Sequence, residues 1–581
     1  MNVISKSFDE TKNSFNKRIF FLFSVTVLAL CLVYLRLIDL QILNGSFYQS
    51  LAQNQHGSES AILPQRGEIY LTSVKGESLL VAANIAKPFV YAVPKEINDV
   101  DQTASKLGRL LEIKPADLAQ KIREGSQNYL VLKKQLTEEV GNAIKALGLE
   151  GIRVEQETIR FYPEQNLASH SLGFLGFKGD KRIGQYGIEG RFEKNLSGSP
   201  GVVGLESDVA GRWITFASRN LIPAQDGDDI YLTIDPAIQF KAEEVLNTSV
   251  SVHGAESGSV VVLNPKTGAI LALAISPSFD PNEYNKVSDI SVYANKALAA
   301  DYEPGSIFKP ITMAASLNEG RVTPQTTYED TGVVEFPENL RIKNSDNEAH
   351  GIQTMTQVLE NSLNTGAVFA EQQLGHESFK EYVKKFGFGS LTGLELPGEV
   401  LGNIDNLNKK GDIFFATASF GQGITVTPIQ VAAAFAAIAN GGKLMKPHVV
   451  SKIVHPDETE EQFYPEEKAR VIEPKIASQL SAMMVSVVEN GHGKRAGVKG
   501  YYIAGKTGTA QVAYKDRAGY DPGKNIGSFV GFGPVDDPVF VMLVRIDHPK
   551  DVKFAESTAA PAFGEIAQFI LSYMQIPPSR Q

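Results

Sequence analysis

Apolar positions are unevenly spread along this chain. From Ile19 to Leu35 almost every residue is apolar, and the run resumes after Arg36 from Leu37 to Leu43. A stretch of about 17 such residues or more, with tilt or snorkelling, crosses a bilayer as a single helix. Between about Asn44 and Pro223 the pattern changes to short β-like runs, such as Phe89 to Val93, and amphipathic helical runs, such as Leu136 to Leu147, separated by glycine-rich turns. This part reads as an elongated α+β module. It shows no concentration of His, Asp or Glu at ligand spacing, so it is expected to be a spacer or docking platform without chemistry of its own.

A second module opens at Asp226-Gly227-Asp228-Asp229, with a strand over Ile230 to Ile234 and a helix from Pro236 to about Leu246. Two β-runs follow, Ser259 to Leu263 and Ala269 to Ile275, joined by the turn Asn264-Pro265-Lys266-Thr267-Gly268 as a hairpin. Near the C-terminus Ser528 to Phe532 and Val539 to Ile546 repeat that pattern around Pro534 to Pro538, and a helix is expected from Ala559 to Met574. Strands at both ends with helices between predict one antiparallel sheet flanked by helices. The expected organisation is a tail over 1–18, an anchor and membrane-proximal helix over 19–43, a pedestal over 44–225 and a catalytic domain over 226–581.

Charge orients the anchor. Lys6, Lys12, Lys17 and Arg18 precede the apolar run, and no lysine or arginine lies between Arg36 and Arg66, so the N-terminus is expected inside and the rest exported. A cleaved signal sequence is the alternative, but no small-x-small site follows the run, and Leu28-Ala29-Leu30-Cys31 lacks the small residue of a lipoprotein site. With a net charge of -10 and no basic cluster beyond the extreme N-terminus, nucleic-acid binding is not expected. Cys31 is the single cysteine, which excludes disulfides within the chain and cysteine-ligated metal. The 43% hydrophobic and 21% charged content suits a chain that mostly folds.

The candidate chemistry centres on Ser306, in Tyr302-Glu303-Pro304-Gly305-Ser306-Ile307-Phe308-Lys309-Pro310. A serine three places before a lysine at a helix start puts nucleophile and base on one face. A helix from Ser306 to Glu319 is expected: Pro310 is tolerable only in a first turn, and Gly320 supplies the stop. Ser306 then sits where free N–H groups support an oxyanion. As base, Lys309 must be neutral near pH 7, which needs desolvation and a second cation nearby.

Lys506, in Ile503-Ala504-Gly505-Lys506-Thr507-Gly508-Thr509-Ala510-Gln511, is the candidate for that cation. The stretch reads as a strand whose glycines let a ligand backbone approach. Lys506 would anchor a carboxylate, Thr507 and Thr509 would hydrogen-bond the same ligand across Gly508, and the Thr509 N–H would join that of Ser306 in an oxyanion hole. Lys266-Thr267-Gly268 has the same letters but falls in a hairpin turn ahead of the serine. For a third element, Ser362-Leu363-Asn364 is preferred to Ser345-Asp346-Asn347. The latter lies in the polar run Lys343 to His350, whereas the former follows a helical run, Gln353 to Glu360, and opens another at Thr365-Gly366. Asn364 as a plain helix cap is the competing account.

With these three motifs the chain resembles the class B penicillin-binding proteins, membrane-anchored D,D-transpeptidases that cross-link peptidoglycan. Arg66-Gly67-Glu68-Ile69, Arg160-Phe161-Tyr162-Pro163, Gly187-Ile188-Glu189 with Leu196-Ser197-Gly198, and Phe420-Gly421-Gln422-Gly423-Ile424-Thr425-Val426-Thr427-Pro428 extend the resemblance over most of the chain. It departs from the family at Leu71 to Gly76, where Asp-Arg-Asn-Gly is usual. The resemblance implies an acyl-enzyme on Ser306 formed from a D-Ala-D-Ala stem peptide, with Lys309 as base. Ser362 and Asn364 would relay the proton and hold the donor amide, and Lys506, Thr507, Gly508 and Thr509 would bind the terminal carboxylate. It also implies trapping by β-lactams, no cofactor or metal, a partner glycan polymerase embedded in the membrane, division or elongation proteins as further partners, and a place in the bacterial cytoplasmic membrane. The Phe420–Gly423 strip and the absence of C-terminal repeats favour division-type over elongation-type members. A serine β-lactamase, a D,D-carboxypeptidase, or a β-lactam sensor or scaffold are the alternatives; the long spacer weighs against the hydrolases, and the single apolar run against a sensor.

Overall fold

The computed structural model describes residues 57–179, 181–206, 220–514, 517, 519–552 and 554–580, together with Leu30 and Tyr34. Apart from those two residues, the expected tail and anchor over 1–43 lie outside the described residues, among which no helix is long and apolar enough to cross a membrane. Gly57–Ile62, Gly201–Glu206 and Asn220–Ile222 form an antiparallel three-stranded sheet that belongs to one unit, residues 1–64 with 199–225. Residues 65–198 and 226–581 form the other.

Within the larger unit the catalytic half is built on a five-stranded antiparallel sheet, in the order Ile270–Ser276, Ser257–Leu263, Phe540–Asp547, Tyr520–Gly533, Ala504–Ala513. Strands of an antiparallel sheet usually alternate, because one face is wet. Here Ser257–Leu263, Ile270–Ser276 and Phe540–Asp547 are buried along their whole length, since both faces are covered. Val260, Val262, Met542 and Val544 face the helices Pro236–Val252 and Ala559–Tyr573. Val261, Leu263, Val541 and Leu543 face the helical layer that carries Ser306. Pro236–Val252 starts where the Asp235 carboxylate accepts the N–H groups of Ala237 and Ile238 at 2.9 and 3.1 Å, with Pro236 in the first turn.

A second, seven-stranded sheet crosses the boundary expected at 225/226. Asp229–Leu232 pairs antiparallel with Val450–Val454 on one side and parallel with Ile69–Thr72 on the other. Ile69–Thr72 in turn pairs with Ser78–Ala92, which pairs with Ile152–Phe161 and Leu130–Lys133. The pedestal over 65–198 is therefore continuous with the catalytic half. Leu71 to Gly76, the departure from the family pattern, closes the hairpin between Ile69–Thr72 and Ser78–Ala92, with Gly76 at φ +85° and Ser73 Oγ accepting the Glu77 N–H at 3.0 Å.

The motifs quoted from the pedestal meet in a buried ionic cluster. Glu189 is fully buried and accepts from Arg160 Nε at 2.7 Å, Arg66 Nε at 2.8 Å and the Tyr162 hydroxyl at 3.1 Å. Arg66 also reaches Glu193 at 2.6 Å. Burial alone would raise the Glu189 pKa, but Arg160 and Arg66 outweigh it and hold the carboxyl below its ordinary range. Gly67 and Gly227 complete the junction: a Cβ on either would stand 1.9 Å from a backbone oxygen, that of Asp228 or Leu196.

Candidate active site

The helix expected from Ser306 begins later. Gly305–Phe308 is a 3-10 turn, and the α-helix is Lys309–Asn318. Pro310 is the reason: in an α-helix its missing N–H would be the donor to the Ser306 carbonyl, and its ring would press on that oxygen. The Lys309 N–H donates to Ser306 O instead. Side chains three apart eclipse in a 3-10 turn, so Ser306 and Lys309 align more directly than on an α-helix.

A strip of backbone holds this turn from below. The Gly305 N–H donates to Gly421 O at 3.0 Å, and Tyr302 and Val426 exchange N–H donors at 3.0 and 2.9 Å. Gly421, at φ +80°, lies so close that a Cβ would stand 2.3 Å from Gly305 O. On the other side the turn packs on the edge strand Ala504–Ala513, where a Cβ on Gly508 would come within 2.8 Å of Ile307 Cγ2. The Thr509 carbonyl faces Gly305, 3.3 Å from where its Cβ would be. A residue's N–H and C=O point the same way in an antiparallel strand, so the Thr509 N–H is also directed at the serine turn.

Lys309, Lys506 and Ser362 converge. Lys309 Nζ donates to the backbone carbonyl of Ser362 and, at 3.2 Å, to its Oγ. Lys506 Nζ donates to the same Oγ at 3.0 Å and to Thr507 O at 3.1 Å. Both lysines are buried, 1% and 0% exposed, so neither ammonium has water to sustain its charge. Burial, then the neighbouring Lys506, pushes Lys309 well below an ordinary lysine, with Asp346 opposing them; burial pushes Lys506 down to about 7. An amine that is partly neutral at neutral pH is a competent base.

Ser362 sits between the helices Met355–Glu360 and Asn364–Leu374 at φ +55°, a left-handed conformation that a serine adopts at a cost of order 1 kcal/mol. Asn364 is not the cap: Leu363 holds that position, and Asn364 Nδ2 donates to Lys343 O at 2.8 Å. That bond ties Ser362-Leu363-Asn364 to the run Lys343 to His350, whose Ser345, Asp346 and Asn347 are exposed. The two S-x-N candidates are thus neighbours. Thr507 is buried, and Thr509, exposed, accepts the Ala555 N–H on its Oγ1 at 3.2 Å. Lys266 lies in its hairpin turn, paired with Asp537 at 2.5 Å. A cavity of about 290 Å³ lined by Phe386, Leu391, Gln430, Leu444 and Lys468 contains none of the candidate residues.

The family of penicillin binding protein transpeptidase domains matches residues 258–568, and that of penicillin-binding protein dimerisation domains matches residues 61–232. The chain belongs to the class B penicillin-binding proteins. Stage V sporulation protein D of Bacillus subtilis is 33% identical over 571 residues, 97% of this chain and 87% of that protein. The probable peptidoglycan D,D-transpeptidase PenA of Neisseria gonorrhoeae is 30% identical over 567 residues, 97% of this chain and 93% of its own length. A peptidoglycan synthetase from Bifidobacterium adolescentis, at 27% identity, shares the fold with a TM-score of 0.71 over 90% of this chain and 98% of that one.

Three parts of the site in this class B penicillin-binding protein were not announced by the motifs. Asp346 acts on Lys309 through charge. Arg545, paired with Asp547 at 2.6 Å, lies over the Tyr302 ring at 4.2 Å behind the serine turn. Glu303 joins that turn to Gly423 and Tyr520. The apolar run Phe540 to Ile546, broken by Arg545, was a visible sign of the second, and Ser345-Asp346-Asn347, set aside as the third element, was a sign of the first; Glu303 has no local signature.

Proposed function

We propose that this chain is a serine D,D-transpeptidase that cross-links peptidoglycan stem peptides during cell-wall synthesis and is a target of β-lactams. The observation that carries it is the meeting of two buried lysine amines on one serine hydroxyl beside the Ser306 turn. In the first half-reaction Ser306 Oγ attacks the carbonyl of the penultimate D-Ala, and Lys309 takes the hydroxyl proton. The oxyanion is held by the N–H groups of Ser306 and Thr509. The C–N bond breaks, the departing D-Ala amine receives a proton through Lys309 and Ser362, and a Ser306 ester remains. An acceptor amine from a neighbouring strand then attacks the ester, gives a proton back along the same route, and leaves the new peptide bond and a free serine.

In this cycle Lys506, Thr507 and Thr509 bind the terminal carboxylate, Gly508 lets the strand approach, and Asn364 holds the donor amide through its carbonyl oxygen, its NH₂ being bonded to Lys343. We assign residues 19–43 to a single membrane anchor, with the N-terminus in the cytoplasm and the catalytic domain outside the bacterial cytoplasmic membrane; the apolar run and the four basic residues before it support this. Glycan polymerisation falls to a membrane-embedded partner, and a division role is favoured.

A fluorescent penicillin should label the exported region, and Ser306→Ala should abolish labelling; undiminished labelling of that variant would falsify the assignment. A thioester donor with an acceptor amine should then yield transfer product, whereas fast turnover of penicillin itself would mark a hydrolase.

A further inference from the structure

Glu303, three positions before Ser306, carries a half-buried carboxylate that no step above uses. Its Oε1 accepts the Gly423 N–H at 2.9 Å, and the Tyr520 hydroxyl donates to its Oε2 at 3.0 Å and its Oε1 at 3.3 Å. Gly423 ends the strip whose Gly421 carbonyl accepts the Gly305 N–H, and is held from its other side by Asn406 Nδ2, which donates to Gly423 O at 2.5 Å. Tyr520 opens the strand Tyr520–Gly533 and lies opposite Ala513, at the far end of the strand that bears Lys506 and Thr509. One carboxylate, two residues ahead of the Ser306 turn, therefore joins the strip beneath that turn to the hairpin that continues the edge strand.

Both donors are neutral, so Glu303 pays its desolvation without an ion pair, and burial holds its carboxyl above the ordinary range. The oxyanion donors, Ser306 N–H and Thr509 N–H, come from separate elements, so their spacing depends on what ties the turn to the strand. Gly508 against Ile307 is one tie. Glu303 with Tyr520 is another.

We propose that Glu303 is a positioning residue for acylation: its carboxylate fixes the Ser306 turn against the Thr509 strand, and so sets the oxyanion geometry, without touching the acyl group. This rests on the serine acylation proposed above.

Stopped-flow reaction of the full chain with a fluorescent penicillin separates non-covalent binding from the first-order acylation step. Glu303→Ala should slow acylation about ten- to hundredfold while binding changes less than about threefold. Glu303→Gln, which still accepts from Gly423 and pairs with Tyr520, should acylate within about threefold of wild type. Tyr520→Phe should lose roughly fivefold, and adding it to Glu303→Ala should cost nothing more. Wild-type acylation by Glu303→Ala, equal losses in the Ala and Gln variants, or a loss confined to binding would each overturn the role. Should Glu303→Ala fail to fold, Tyr520→Phe decides, and a wild-type rate there overturns it. Ser306→Ala separates the two ideas: residual acylation by it sinks the serine reading, whereas an inert Ser306→Ala beside a wild-type Glu303→Ala sinks only the positioning role.

Discussion

Lys309 and Lys506, far apart in the chain, donate to the same oxygen, Oγ of Ser362, at 3.2 and 3.0 Å. Two amines that share an acceptor in a dry site cannot both stay charged without repulsion, so the charge on one governs the basicity of the other.

Lys506→Met should therefore move the acid limb of the acylation profile to higher pH. Burial, the larger cause, still holds Lys309 below an ordinary lysine, but removing the neighbouring charge lets it rise, and its neutral form then appears at higher pH. At pH 7 acylation should fall, and it should recover as the pH is raised. Lys506→Arg, which keeps the charge, should leave the limb where it is or lower; a Met variant with an unmoved limb would remove Lys506 from the control of Lys309.

The same Lys506→Met variant should be more stable than the wild type at pH 7. The folded value for Lys506 is about 7 against 10.5 for a free lysine, so the unfolded chain holds the extra proton across that window. Stability of the wild type rises with pH there, and the penalty is full below about 7. The variant should gain at least about 1 kcal/mol, roughly 1 °C in melting temperature for a unit of this size. That advantage should shrink as the pH approaches 10.5. A catalytic group that costs stability is the usual trade between activity and folding.

Gly421→Ala tests the strip under the Ser306 turn. Its Cβ would need a φ of +80° and would stand 2.3 Å from the Gly305 carbonyl oxygen. A loss of about 2–4 kcal/mol is expected, together with slower acylation because Gly305 must shift. Thermal melting and labelling rate should fall together; a fully active, wild-type-stable variant would contradict the close approach.

Glu189→Ala should destabilise the large unit by about 3–5 kcal/mol, because it strands Arg66 and Arg160 inside the junction. Chemical denaturation measures it. A loss under about 1 kcal/mol would mean that the cluster relaxes into water.

The parts of this fold legible in the sequence were those with local causes. Asp235-Pro236 ahead of a helical run marks a helix start, Asn264 to Gly268 has the composition of a turn, and strands covered on both faces read as unbroken apolar runs. Pro310 signalled a helix start, but placing the α-helix after Ser306 needed the further step of asking which carbonyl its missing N–H would leave. Ser362 at positive φ, Asn364 bonded to Lys343 and Glu303 bonded to Tyr520 are pairings across the fold, and nothing in their neighbours in sequence specifies them. The sheet through 225/226 was hidden for the same reason: Asp226 to Asp229 carries the composition of a linker, yet Ile69 and Ile230 lie side by side.

That pairing bears on how the molecule can be dissected. Cutting at 225/226 would strip Asp229–Leu232 of its neighbour Ile69–Thr72 and leave a bare row of amide and carbonyl groups, an invitation to aggregate. The shortest soluble, self-sufficient catalytic fragment consequently has to keep residues 65–198.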